Sequence, residues 1–346
     1  MENQTNNPTP ESIFQIGTGF WASKILLAAV NFGLFTKLAI KKKMTAQEIK
    51  SELNLQCSDR NVFDFLDALV GFGFLTRNGL LEKAEYSNSL NTDIFLDKNK
   101  PSYIGGLLEM MNNRLYRFWG DLEEGLKTGK AQNEAKSGVN IFEEIYKDPN
   151  ELKGFVNAMS GAQMGAFMAF AEKFDFSKTK TLVDAGGSAG LLSIHVAKNH
   201  PHMTCTTVDL PPVESIAKET IERFQLSDRV KTKSGDFFAD SLPKADIVVM
   251  GNILHDWDEQ QKLALMKKAF DALPAGGTFL AIENVIDDDR KQDVFGLMMS
   301  LNMLIETGTG FDYTFGDFTR WAKSLGFKST SILPLTGPTS AAIAHK

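Results

Sequence analysis

Thr181-Leu-Val-Asp-Ala-Gly-Gly-Ser-Ala-Gly190, followed directly by Leu191-Leu-Ser-Ile-His-Val-Ala197, is the stretch on which the reading of the chain turns. An apolar run that meets a glycine cluster and resumes at helical spacing predicts a strand, a tight turn and a helix opening onto that turn. Gly186, Gly187 and Gly190 let a ligand approach the backbone closely, and the helix N-terminus offers unpaired N–H groups to an anionic group. A dinucleotide fingerprint starting at Gly186 wants glycine or a small residue at 188 and 191. Ser188 and Leu191 stand there, which disfavours NAD.

The following apolar run, 203–208, ends in Asp209-Leu210. An acid at the tip of a second strand is placed to accept hydrogen bonds from both hydroxyls of a ribose. Pro211 and Pro212 already break the chain there, so a turn-capping role fits Asp209 poorly. Further on, strands are expected near 181–185, 204–208, 229–233, 246–250 and 277–282, with helices near 190–199, 213–224 and 258–272. That alternation predicts an α/β domain with a parallel, doubly wound sheet. Helices near 291–305 and 315–325 lead to two late segments, 327–333 and 341–345, close enough to pair antiparallel.

In order along the chain, Asp184-x-Gly-Gly-x-x-Gly, Val208-Asp-Leu-Pro, Gly235-Asp-Phe-Phe and Leu254-His-Asp-Trp resemble the plant-type, caffeate-like O-methyltransferases that use S-adenosylmethionine, together with their bacterial small-molecule relatives. The resemblance runs from about Gly19 to the C-terminus. It implies a Rossmann-like seven-stranded methyltransferase sheet over 173–346 and a mostly helical winged-helix dimerisation domain over 1–100. Between them, 101–172 is read as a helical linker lining the acceptor pocket. The implied reaction moves a methyl group from S-adenosylmethionine to a hydroxyl of an aromatic or polyketide-like acceptor without a metal. A C-methyltransferase or another reaction of the same fold is the alternative within the family.

The composition agrees with an enzyme of this kind. The 346 residues suffice for two domains, and the net charge of −6 opposes nucleic acid and anionic membranes but not a cationic sulfonium. Two cysteines, Cys57 and Cys205, are too few for a disulfide framework or a thiolate metal site. No apolar run is read as reaching the roughly 20 residues of a membrane span, and the first residues lack a leader pattern, so a cytoplasmic location is expected.

Residues 13–40 are apolar around much of the helix circumference, from Phe14 and Ile16 through Phe20, Trp21 and Ile25 to Phe35. Such a helix must be covered, and the resemblance implies that a second copy covers it in a homodimer. Thr45-Ala-Gln-Glu48 forms a capping box, Ser58 caps a helix to about Val70, and a hairpin is expected around Asn78-Gly79. Helix, helix, hairpin is also a DNA-binding pattern. Asp59, Asp64 and Asp67 on the would-be reading helix, against one Arg60, argue against a regulator. Helices are expected over 103–127 and 141–172, the second carrying Phe155 and Met159, which the resemblance places in the acceptor pocket.

Methyl transfer from a sulfonium asks the protein for alignment and for removal of the acceptor proton. His255 follows the strand 246–250 and so projects from the carboxyl rim shared by Gly186 and Asp209. His195, His200 and His202 are read as facing solvent near a helix C-terminus rather than binding a metal. A catalytic imidazole works best with a carboxylate on its other nitrogen, and Glu283 and Asp312 are the two candidates. In register with the family, both flank the histidine. Asp236 is expected at the adenine edge and Phe237 at its face. Gly251 contacts cofactor through backbone only, where relatives carry a polar side chain. Asn252 and Trp257 flank the base, and Met299 and Asn302 are expected against the acceptor.

Overall fold

A computed structural model describes residues 8–137 and 145–346. Residues 1–7, on which the leader reading rests, and 141–144, the start of the helix expected over 141–172, lie outside the described residues. The chain forms two compact units that divide between Tyr116 and Arg117.

In the first unit the apolar stretch 13–40 is three helices, Glu11–Gly17, Gly19–Asn31 and Leu34–Lys41. Glu11–Asn31 is, by length and composition, long and apolar enough to cross a membrane, which corrects the expectation that no run reaches that length. The sequence hides it because Thr18-Gly19 and Ser23-Lys24 punctuate the run. Phe14, Phe20 and Trp21 are 65%, 55% and 61% exposed, so this chain does not cover them.

The capping box at Thr45 and the Ser58 cap form as expected. Strands β1 (Met44–Thr45), β2 (Leu75–Asn78) and β3 (Glu85–Asn88) make a three-stranded antiparallel sheet in the order β1-β3-β2. The hairpin differs from expectation: Asn78 pairs with Glu85, and a 3₁₀ turn, Leu81–Lys83, fills the loop instead of a two-residue turn at Asn78-Gly79. Asp67 turns inward to the wing, accepting from the Tyr86 hydroxyl at 2.8 Å and pairing with Arg77 at 2.6 Å. The helix expected over 103–127 is broken by a π-helical turn, Met111–Leu115, and a 3₁₀ turn, Trp119–Asp121.

The second unit is built on β4 (Thr181–Ala185), β5 (Thr204–Asp209), β6 (Val230–Ser234), β7 (Ile247–Gly251), β8 (Thr278–Glu283), β9 (Ser329–Pro334) and β10 (Ser340–His345). Their order is β6-β5-β4-β7-β8-β10-β9. The first five run parallel, β10 lies antiparallel to β8, and β9 antiparallel to β10. Strands buried on both faces explain the near-continuous apolar runs. Leu182, Ile247, Val249, Leu280 and Ile282 pack on one face with Phe167, Phe170 and Ile194. Val183, Val248, Met250, Phe279 and Ala281 pack on the other with Leu265, Phe318 and Trp321. The strand order reverses at β4, between β5 and β7, and the crevice beyond the carboxyl ends at such a point is where open α/β sheets bind ligands. Pro211 and Pro212 do not merely break the chain: they open the helix Pro211–Arg223, where their fixed φ suits the first turn.

Candidate active site

The glycine turn lies at the carboxyl end of β4. Gly186 and Gly190 have φ of +74° and +75°, in the left-handed region. Gly187 is required by space rather than by torsion, since a Cβ there would stand 2.1 Å from Thr207 Oγ1. A Cβ on Gly186 would stand 2.3 Å from Ile253 Cδ1 and 3.5 Å from Phe237, so the glycine turn, the β6 exit loop and the β7 exit loop meet here. Asp184 is buried beneath the turn and accepts from Ser193 Oγ at 3.1 Å. Burial, with the Asp209 charge adding to it, pushes its carboxyl up to about 7 despite that bond.

Asp209, at the tip of β5, is half-buried. One carboxylate oxygen accepts from Ser188 N–H and the other from Leu210 N–H, both at 2.8 Å. Burial raises its pKa and these bonds oppose the rise. Each oxygen keeps a further lone pair for a ligand donor. The Asp236 side chain is exposed, and its Oδ1 accepts from Phe238 N–H at 2.7 Å, an Asx turn that shapes its own loop. Phe237 and Phe238 stand edge-on to Trp257, with centroids 6.3 and 4.6 Å away.

At the end of β7, Gly251 faces the Phe167 ring, which a Cβ would meet at 3.0 Å, and Asn252 takes a φ of +52°. That kink leads into a 3₁₀ turn, Leu254–Asp256, which carries His255 into the interior at 5% exposure. The two candidate acids divide the work. Asp312 Oδ1 lies 3.3 Å from His255 Nδ1, whereas Glu283 Oε1 accepts from the backbone N–H groups of Ile253 and His255, each at 3.1 Å. Glu283 therefore holds the loop and does not take the ring nitrogen. Asp256 Oδ1 stands 3.5 Å from Nε2. Burial works against an imidazolium, but Asp312, then Asp256 and Glu283, outweigh it and push His255 up to about 10. Burial in turn pushes Asp256 up to about 7 and raises Glu283, although the histidine charge pulls both down.

Of the residues expected against the acceptor, Phe155 and Met159 sit half-buried one turn apart on the helix Pro149–Lys173. Met299 and Asn302 share the helix Val294–Thr307, and Asn302 Oδ1 accepts from the Trp119 indole N–H at 2.8 Å. Trp119 was not singled out by the sequence, nor was Tyr146, whose hydroxyl is raised in pKa by burial and by the charges of Asp209 and Asp256. Lys262 was also missed: it is fully buried, with the Glu283, Asp312 and Asp256 charges bearing on it. Of the three histidines read as facing solvent, His202 is exposed, whereas His195 and His200 are half-buried. His195 meets Met164 Sδ at 3.1 Å, and the Nε2 atoms of His200 and His202 bond the carbonyls of Ala171 and Phe176 at 2.7 and 3.0 Å. Among the described residues no group of three or more His, Cys, Asp or Glu is placed to hold a metal.

The second unit thus brings a glycine turn at the sheet's switch point, an acid on the next strand and a buried imidazole flanked by carboxylates to the carboxyl rim of one sheet. Residues 119–328 match the O-methyltransferase domain and residues 14–98 the O-methyltransferase dimerisation domain, so the chain belongs to that family. It is 35% identical over 346 residues to the tetracenomycin polyketide synthesis 8-O-methyl transferase of Streptomyces glaucescens, covering 100% of this chain and 99% of that one. It is 31% identical to the 3-hydroxy-5-methyl-1-naphthoate 3-O-methyltransferase of Streptomyces sahachiroi, covering 95% and 92%. The crystal structure of human N-acetylserotonin methyltransferase in complex with S-adenosylmethionine superposes with a TM-score of 0.89 at 26% identity, covering 100% and 99%. The protein is an S-adenosylmethionine-dependent O-methyltransferase.

Proposed function

We propose that this enzyme methylates a hydroxyl on a small aromatic or polyketide-like molecule, with His255 as the general base. The carrying observation is the buried imidazole whose Nδ1 faces Asp312 at 3.3 Å, which commits that nitrogen; Nε2, 3.5 Å from Asp256 Oδ1, is then the nitrogen that takes the acceptor proton. When bound, the donor supplies a methyl group on a leaving group that needs no protonation. The chain supplies the rest. Asp209 fits the ribose through the spare acceptor sites of its two oxygens, and the turn at Gly186, Gly187 and Gly190, with Leu210 and Asp184 around it, leaves backbone open to the amino-acid end. Phe237, Trp257, Gly251 and Asn252 border the adenine side, and Asp236 contributes through its loop. Tyr146, close to Asp209 and Asp256, belongs to the same wall.

Asp312 orients the ring and steadies the imidazolium that forms, while Glu283 fixes the loop that carries it. Phe155, Met159, Met299 and Asn302 receive the acceptor, the polarisable methionine sulfurs suiting a flat ring. The relatives named for polyketide and naphthoate methylation support that acceptor class. A homodimer through the first unit covers the exposed aromatic residues, and neither nucleic acid nor membrane enters this reading.

The test is a screen of phenols, naphthols and hydroxynaphthoates for a mass gain of one methyl, repeated with His255→Ala. Loss of a positioned base lowers turnover by about 10²–10⁴ while leaving donor affinity intact. Activity then returns in part as pH approaches the acceptor's own pKa. Full activity of His255→Ala at neutral pH would remove the residue from the chemistry.

A further inference from the structure

Lys262 occupies an expensive position. It sits in the first turn of the helix Glu259–Ala272, fully buried, where the helix dipole and desolvation both disfavour an ammonium. Its Nζ donates to the Trp257 carbonyl and lies 3.5 Å from the centroid of the Phe311 ring, a desolvated cation–π seat. Those two contacts are on different segments. Trp257 is two residues beyond His255 on the loop after β7, and Phe311 immediately precedes Asp312 on the loop before Phe315–Ser324. The ammonium thus joins the backbone that carries the imidazole to the backbone that carries its carboxylate.

The charges around it make the same connection. Glu283, Asp312 and Asp256, the acids that bear on His255, also bear on Lys262, together with Asp258 of the helix cap. The buried Tyr313 hydroxyl stands among Glu283 and Asp312. Three carboxylates around one imidazole favour its imidazolium, and a buried cation beside the same acids limits how far they raise it. Resting on the reading of His255 as that base, we infer that Lys262 is a positioning residue for the methyl transfer, clamping the His255 loop to the Asp312 loop and offsetting the carboxylates that surround the ring. Burial draws the lysine down to about 8 while the four acids hold it up, which leaves it charged at neutral pH.

The test compares wild type with Lys262→Met, which keeps the chain's bulk and removes its charge. Titration of the ¹⁵N-labelled His255 imidazole needs no acceptor. Its midpoint should rise by about one pH unit in Lys262→Met, the effect of deleting a charge several ångströms away at intermediate dielectric. With an acceptor from the screen, kcat at pH 7 should fall about tenfold, the acid limb should move up by the same unit, and KM for S-adenosylmethionine should stay within about twofold. An unchanged midpoint and limb, with only a lower melting temperature, would make Lys262 a space-filler and overturn the inference. Should Lys262→Met not fold, the wild-type ¹⁵N signal of the Lys262 side chain decides: an ammonium at pH 7 sustains the inference and a neutral amine ends it. A fully active His255→Ala rejects the base itself, whereas an inactive His255→Ala beside an unshifted Lys262→Met rejects only the role of Lys262.

Discussion

His255 is held by two carboxylates through different atoms, and that difference predicts different mutants. Asp312 acts on the ring and is the largest influence raising the imidazole toward about 10. With His255 as the proposed base, activity needs the neutral imidazole, so it should rise with pH and the acid limb of kcat/KM should lie above the ordinary imidazole value of 6.5. Asp312→Asn removes the leading upward influence, so the limb should move to lower pH while the maximal rate falls through loss of ring orientation. Glu283→Gln keeps one carbonyl oxygen for the N–H groups of Ile253 and His255, so the loop stays closed and the loss should be smaller than that of His255→Ala. Pre-steady-state rates across pH separate the cases. A limb that does not move in Asp312→Asn would mean that Asp312 does not set the basicity of His255.

Among the elements, the strand, turn and helix around Gly186 were legible because close packing and positive φ leave a mark in residue type. Gly187 carries the sharper consequence. In Gly187→Ala the methyl group would meet Thr207 Oγ1 at 2.1 Å and Asp184 Cγ at 2.7 Å, so the buried Thr207 and Asp184 side chains must shift. Overpacking of this kind costs about 1–3 kcal/mol, and because Ser188 N–H and Asp209 share the same corner, donor affinity should fall with stability. Calorimetry and thermal melts read both, and a variant that melts and binds as wild type would show that the corner yields freely. The parallel order and the antiparallel ending were legible for a similar reason, the spacing of apolar runs. Less was legible where a residue works through folding back. Lys262 looks like any polar helix residue until the chain closes over it, one Asp236 carboxylate oxygen serves its own turn, and the Nε2 atoms of His200 and His202 bond the carbonyls of Ala171, near the end of Pro149–Lys173, and of Phe176 just beyond it. Their partners lie 29 and 26 residues away, beyond what periodicity can report.

For the whole molecule, the first unit presents a concentration of aromatic surface that its own core leaves uncovered. Phe14, Phe20 and Trp21, with Ile13 at 73% and Ile16 at 83% exposure, lie on consecutive turns of Glu11–Gly17 and Gly19–Asn31, inside the match to the O-methyltransferase dimerisation domain apart from Ile13. Burying each large apolar side chain contributes about 1.5–3 kcal/mol, and in a two-fold interface every such residue counts twice. The wild-type enzyme should therefore sediment as a dimer of roughly 77 kDa, twice the chain's 38.3 kDa. Phe20→Asp combined with Trp21→Ser places charge and polarity where the partner helix would pack, and should yield a folded monomer at micromolar concentration. Circular dichroism checks that the helices remain and sedimentation velocity reads the mass. Because the same helices are long and apolar enough to cross a bilayer, flotation with neutral phosphatidylcholine vesicles is run beside it. A wild-type chain that sediments at 38.3 kDa and floats with the vesicles would assign this surface to lipid, whereas a dimer that stays with the aqueous phase assigns it to a second copy of the chain.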